Sequence, residues 1–101
     1  MLDTNSAARS FAAAGSEPRL RVLRTLVRAG HTGLSVNEIQ ERVDIPASTL
    51  AHHLRHLNES GLIDQFKDGR SVISRANFDH VKALAEFLLY RCCEDSEPNK
   101  D

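Results

Sequence analysis

Apolar residues recur at helical spacing along most of this chain, and the period changes once, at Leu62, to the alternation expected of strands. The segment Thr4–Ala14 is alanine-rich, carries Phe11 and stops before Gly15. It reads as a short, mildly apolar helix, marginal on its own. Ser16-Glu17-Pro18 is a helix start, with Ser16 as the N-cap and Pro18 in the first turn. Val22, Leu23, Leu26 and Val27 follow with Leu20 at helical spacing, and Gly30 supplies the stop. A third helix opens on the capping box Ser35-Val36-Asn37-Glu38, with Val36, Ile39 and Val43 apolar. The turn Asp44-Ile45-Pro46 leads to Ser48-Thr49 and a fourth helix presenting Leu50, Leu54 and Leu57 before Gly61. Leu62–Lys67 and Ser71–Ser74 flank Asp68-Gly69, a strong short-range hairpin signal. A last helix runs from about Phe78 to Arg91, with Phe78, Val81, Leu84, Ala85 and Leu88 on one stripe.

Helix, tight turn, helix and hairpin in that order form the layout of a winged helix-turn-helix, which places its second helix in the major groove of DNA. The fold expected is mainly α, within the α+β class, with about five helices and a two-stranded β-hairpin wing. Residues 1–93 form one DNA-binding and dimerisation domain, and residues 94–101 an acidic, disordered tail. Phe87 and Leu89 widen the last helix's apolar face beyond what a surface helix needs. Together with Phe11, they predict a homodimer joined through Thr4–Ala14 and Phe78–Arg91.

Composition narrows the picture. At 101 residues the chain suits one small domain. No apolar run reaches the roughly 20 residues of a membrane span, and the N-terminus lacks the basic start and apolar block of a signal peptide, so the expectation is a cytoplasmic protein with no membrane contact. The net charge of −1 argues against coating nucleic acid nonspecifically. The charge is uneven, however: residues 94–101 carry four acidic residues against one lysine, and without them the balance is 12 basic to 10 acidic.

In this layout the N-terminal residues of the second helix meet DNA. Those candidates are Ala47, Ser48, Thr49, His52, His53, Arg55 and His56. With Leu50, Leu54 and Leu57 inward, Thr49, His53 and His56 are expected on the solvent side. Serine and threonine donate to phosphates or bases, alanine meets a thymine methyl, and histidine donates to guanine. Lys67 and Arg70 flank the wing tip and suit phosphate or minor-groove contact. His52 and His53 are poor joint metal ligands, because adjacent helical residues diverge by about 100°. No phosphate loop, nucleophile elbow, paired-carboxylate site or zinc-protease motif is present, so an enzyme is not expected and no cofactor is required. A winged-helix interaction module without DNA binding is the rival reading, supported by the near-neutral charge.

The chain resembles the ArsR/SmtB family of winged-helix repressors over roughly residues 16–93. The resemblance rests on EPRLRVLRTLV, on IPASTLAHHLRHLNESGLI with its S-T-L-x-x-H-L-x-x-L-x-x-x-G-L-I pattern from Ser48 to Ile63, and on the wing DGRSVIS. It implies a homodimer joined by first and last helices, binding double-stranded operator DNA until an inducer releases it. The family's metal box at the third helix needs two cysteines where this chain has Ser35 and Asn37. A zinc site on the last helix is matched by His80 and Glu94 and broken by Phe78 and Arg91. The nearest likeness is to arsenite-responsive members whose last helix ends in adjacent cysteines, here Cys92-Cys93, although the tail holds no third cysteine.

Three readings of Cys92 and Cys93 stay open. Thiolates select soft ions, with arsenite the favoured inducer, and the same thiolates are the form that oxidises, which allows a redox or persulfide switch. The third reading is two small residues without chemistry, leaving a regulator with no inducer site. Arg91 beside the pair favours the thiolate, whereas Glu94, Asp95 and the dipole at the helix C-terminus oppose it. His80 enters as a further metal ligand if the last helices of two chains pack antiparallel about Glu86, setting His80 against the partner subunit's Cys92. Nitrogen and sulfur donors, with Glu94 or Asp95 near, suit zinc.

Overall fold

The computed structural model describes residues 1–96, so residues 97–101 of the expected tail lie outside the described residues. In chain order the elements are α1 (Thr4–Ala14), α2 (Glu17–Ala29), β1 (Leu34–Ser35), α3 (Val36–Arg42), α4 (Ala47–Glu59), β2 (Ile63–Asp68), β3 (Ser71–Ala76) and α5 (Phe78–Leu89). This is a winged helix-turn-helix. Helix starts follow the sequence closely, and four of the five helices carry their own side-chain cap, α4 being the exception. Asp3 accepts from the Ser6 N–H, Ser16 from Arg19, and Asn77 from His80. Ser35 and Glu38 close the expected capping box in both directions.

The core lies where α2 crosses α4 and β3. Val22 and Leu26 of α2, Ile39 of α3, Leu50 and Leu57 of α4, and Leu62 and Ile63 at the head of the wing are almost wholly shielded from solvent. Helix α1 docks through Ala7 and Ser10, its small side chains letting the backbone approach closely.

Three features differ from the expected fold. The sheet has three strands in the order β1-β3-β2, because Leu34 and Ser35 pair antiparallel with Ser74 and Ile73 of β3. A two-residue strand is too short to show a period. Its entry depends on Gly33, which has φ 71° and whose missing Cβ would sit 2.4 Å from the Ser74 carbonyl oxygen. The second difference is at the other end. Helix α5 stops at Leu89, and Arg91 and Cys93 adopt φ of 61° and 64°, so the cysteines follow the helix in left-handed turns. Nor does α5 pack on the expected stripe. Phe78, Val81, Leu84 and Phe87 lie against the core, while Ala85 and Leu88 face outward. No helix among the described residues is long and apolar enough to cross a membrane.

Candidate nucleic-acid interface

Helix α4 is held from behind by α2 and by the start of the wing, and its outer face is free. Pro46 precedes it with no side-chain cap, so the first N–H groups and the positive end of the helix are available to an anion such as a DNA phosphate. Ala47, Ser48, Thr49, His52 and Arg55 are exposed, and His56 is half-buried. At about 100° per residue, positions 48, 52 and 55 form the centre of this face, with 49 and 56 along one edge. The imidazoles of His52 and His56 meet edge to face, with Nε2 atoms 3.2 Å apart.

His53 is not on that face. It is 8% exposed and belongs to the buried stripe of Leu50, Leu54 and Leu57, which corrects the expectation that it faces solvent. Positions 50, 53, 54 and 57 follow the i, i+3, i+4, i+7 pattern of a single helix face, a signal legible in the sequence but masked by the polar side chain. Its Nδ1 has no hydrogen-bond partner. Burial pushes the His53 pKa down, helped by the positive charge of Arg19 and by His52 and His56.

The wing carries the other expected contacts. Lys67 pairs with Val72 across the hairpin and Asp68 with Ser71, leaving Gly69 and Arg70 at the tip; Lys67 and Arg70 are both exposed. Lower on the hairpin Arg75 lies 5.3 Å over the Phe66 ring and 4.0 Å from Asp64. These contacts stiffen the strands below the tip.

The far end of the molecule holds the cysteines. Both are free and exposed, with sulfurs 3.1 Å apart. The hydrogen bond to Cys93 pushes the Cys92 thiol pKa up. Arg91 does not offset this, contrary to expectation, since two of its three guanidinium nitrogens, Nε and Nη2, donate to the Glu94 carboxylate. His80 has also found another role. Buried Ser10 donates to the Ser60 carbonyl at 3.1 Å, so the 2.7 Å contact from His80 Nε2 to Ser10 Oγ is an N–H donated by the imidazole. His80 thus ties α5 to α1 and the end of α4, and its Nε2 is not free to ligate a metal. The sequence reading missed this link, since nothing in the pattern marks Ser10 as a partner of residue 80. Among the described residues no three or more histidine, cysteine, aspartate or glutamate side chains cluster as a metal site.

Three comparisons bear on this geometry. Residues 15–65 match a family described as a helix-turn-helix domain. The transcriptional activator HlyU of Vibrio cholerae is 31% identical over 85 residues, covering 84% of this chain and 76% of that protein. The cadmium resistance regulatory protein CadC of Listeria innocua is 34% identical over 70 residues, 69% of this chain and 57% of that one. Among solved structures, an ArsR-like transcriptional regulator from Rhodococcus superposes with a TM-score of 0.73 at 25% identity, over 93% of this chain and 95% of the other.

Proposed function

The chain belongs to the ArsR-type family of helix-turn-helix transcriptional regulators, and on that premise we propose that it is a homodimeric operator-binding repressor released by a soft metal or metalloid at Cys92 and Cys93. The observation that carries the DNA-binding part is the outer face of α4. Ser48, Thr49, His52 and Arg55 stand exposed on a helix whose other face is locked into the core, and its N-terminus is open. Lys67 and Arg70 add phosphate contacts from the wing tip. HlyU is named an activator, so the fold alone does not fix the sign of regulation.

The dimer is supported by the apolar surface left on α5 and beyond it, where Leu88 and Leu89 are each 67% exposed and Tyr90 61%. The inducer site lies next to that surface. Arsenite would condense with the two thiols, forming two arsenic–sulfur bonds and releasing two waters, and retain its third hydroxyl. The cadmium resistance role in the name of CadC is in keeping with a soft ion. The close sulfurs also favour a second reading, in which a peroxide takes two electrons and two protons from the thiols to leave a disulfide and be reduced to water. About 1–3 kcal/mol of coupling suffices to weaken an operator complex 5–150-fold. The test is operator release measured by fluorescence anisotropy with arsenite and, separately, hydrogen peroxide. The Cys92→Ser, Cys93→Ser variant is expected to bind DNA normally and ignore both agents. Release of that variant by arsenite removes the cysteine pair as the sensor.

A further inference from the structure

The contact between His52 and His56 on α4 has the dimensions of a chelate. Their Nε2 atoms are 3.2 Å apart on rings whose centroids lie 4.5 Å apart at 78°. A zinc ion about 2.0–2.1 Å from each nitrogen would subtend an angle of roughly 100° between them, close to tetrahedral. We propose that His52 and His56 form a bidentate site for a borderline divalent cation of the zinc, copper or nickel class. The site is separate from the cysteine pair and lies on the surface assigned to DNA reading.

The placement follows from helix geometry. Residues four apart share a face, so both rings rise from successive turns of a helix that the core holds rigid. Neighbouring His53 cannot join them, because it points into the core and its ring centroid is 6.1 Å from that of His52. Two protein ligands leave the remaining positions to water, which makes this an open, exchangeable site rather than a structural one. Ligation needs both Nε2 atoms without protons, so the ion replaces the proton shared in the present contact. A bound cation engages the nitrogen edges that would otherwise meet bases. This consequence rests on the DNA-reading role of α4, but the ion-binding claim does not.

The experiment is a calorimetric titration of zinc chloride into the full chain carrying Cys92→Ser and Cys93→Ser, without DNA, so that neither thiols nor the operator contribute. One zinc per chain is expected. Adding His52→Ala or His56→Ala should lower affinity at least about tenfold, whereas His31→Ala, at another exposed histidine, should leave it unchanged. Nitrogen NMR of the imidazoles should show zinc-induced shifts at Nε2 of both His52 and His56, and circular dichroism checks that each variant is folded. Absence of zinc uptake by the thiol-free chain overturns the proposal. So does unchanged affinity in folded His52→Ala, or shifts confined to other histidines. Because DNA is absent, none of these results depends on whether α4 reads an operator.

Discussion

Helices α4 and α5 are nearly the same length, and α5 is the more apolar of the two, yet they end in opposite conditions. Helix α4 buries Leu50, His53, Leu54 and Leu57, while α5 buries Leu84 alone. Leu88 and Leu89 finish α5 in the open, and the chain then turns through left-handed residues to two exposed cysteines. The difference shows that apolar content does not decide burial in so small a domain. The core is closed by α2, α3, α4 and the wing before α5 has used its surface. The reading helix is complete within one chain, whereas the last helix presents surface suited to a second copy.

That contrast is most sharply broken by substitutions at the two helices. Leu57→Ala removes a side chain with no solvent exposure and should cost about 2–5 kcal/mol in denaturant unfolding at fixed protein concentration. If Leu57→Ala and Leu88→Ala cost the same at every concentration, the two helices do not differ as described. Leu88→Glu with Leu89→Glu should instead abolish the proposed dimer. Sedimentation equilibrium should then show a monomer with the wild-type helical spectrum, since an interface of standard size buries about 1,200–2,000 Å² and tolerates no pair of unpaired charges at its centre. A wild-type chain that is itself monomeric would remove the contrast altogether.

Smaller effects test the outer and inner faces of α4. Thr49→Ala should cost about 1–3 kcal/mol on the preferred duplex and relax discrimination at one position, while Arg70→Ala should weaken all duplexes alike and lower the salt slope by about one. Binding isotherms at several salt concentrations separate the two. His53 gives the mildest test. Its folded pKa lies below its ordinary value of 6.5, so below that pH the unfolded chain binds the extra proton more readily. Stability is therefore full above 6.5 and declines as pH falls from there through the lowered value. His53→Leu should flatten this part of the pH profile in thermal melts, and an unchanged slope would mean that the ring is solvated.

Most of the fold could be read from local chemistry. Asp68-Gly69 set the hairpin, and the start of α3 was legible because Ser35 and Glu38 satisfy each other's backbone donors within four residues. What escaped depended on distant partners. β1 exists only because β3 passes beside Gly33, and Ser10 meets His80 across 70 positions. The candidate site was legible in its frame but not in its detail. Ser48, Thr49, His52, Lys67 and Arg70 stand exposed as the pattern suggested, whereas His53 was misplaced because its polarity outweighed its position between Leu50 and Leu54. The end of α5 was set two residues too late, because no glycine or proline marks the stop and the chain turns at Arg91 and Cys93 instead.

The most direct measurement is the ratio of affinities for two duplexes at one salt concentration. A palindromic sequence is first selected by the protein from a random pool, and anisotropy then compares it with a scrambled duplex of equal length and composition. A regulator reading bases through α4 should prefer the selected duplex by about a thousandfold or more, with the preference reduced in Thr49→Ala. Equal affinity for both duplexes, falling in parallel as salt rises, would show a chain that grips phosphates without reading sequence and would contradict the role assigned to α4.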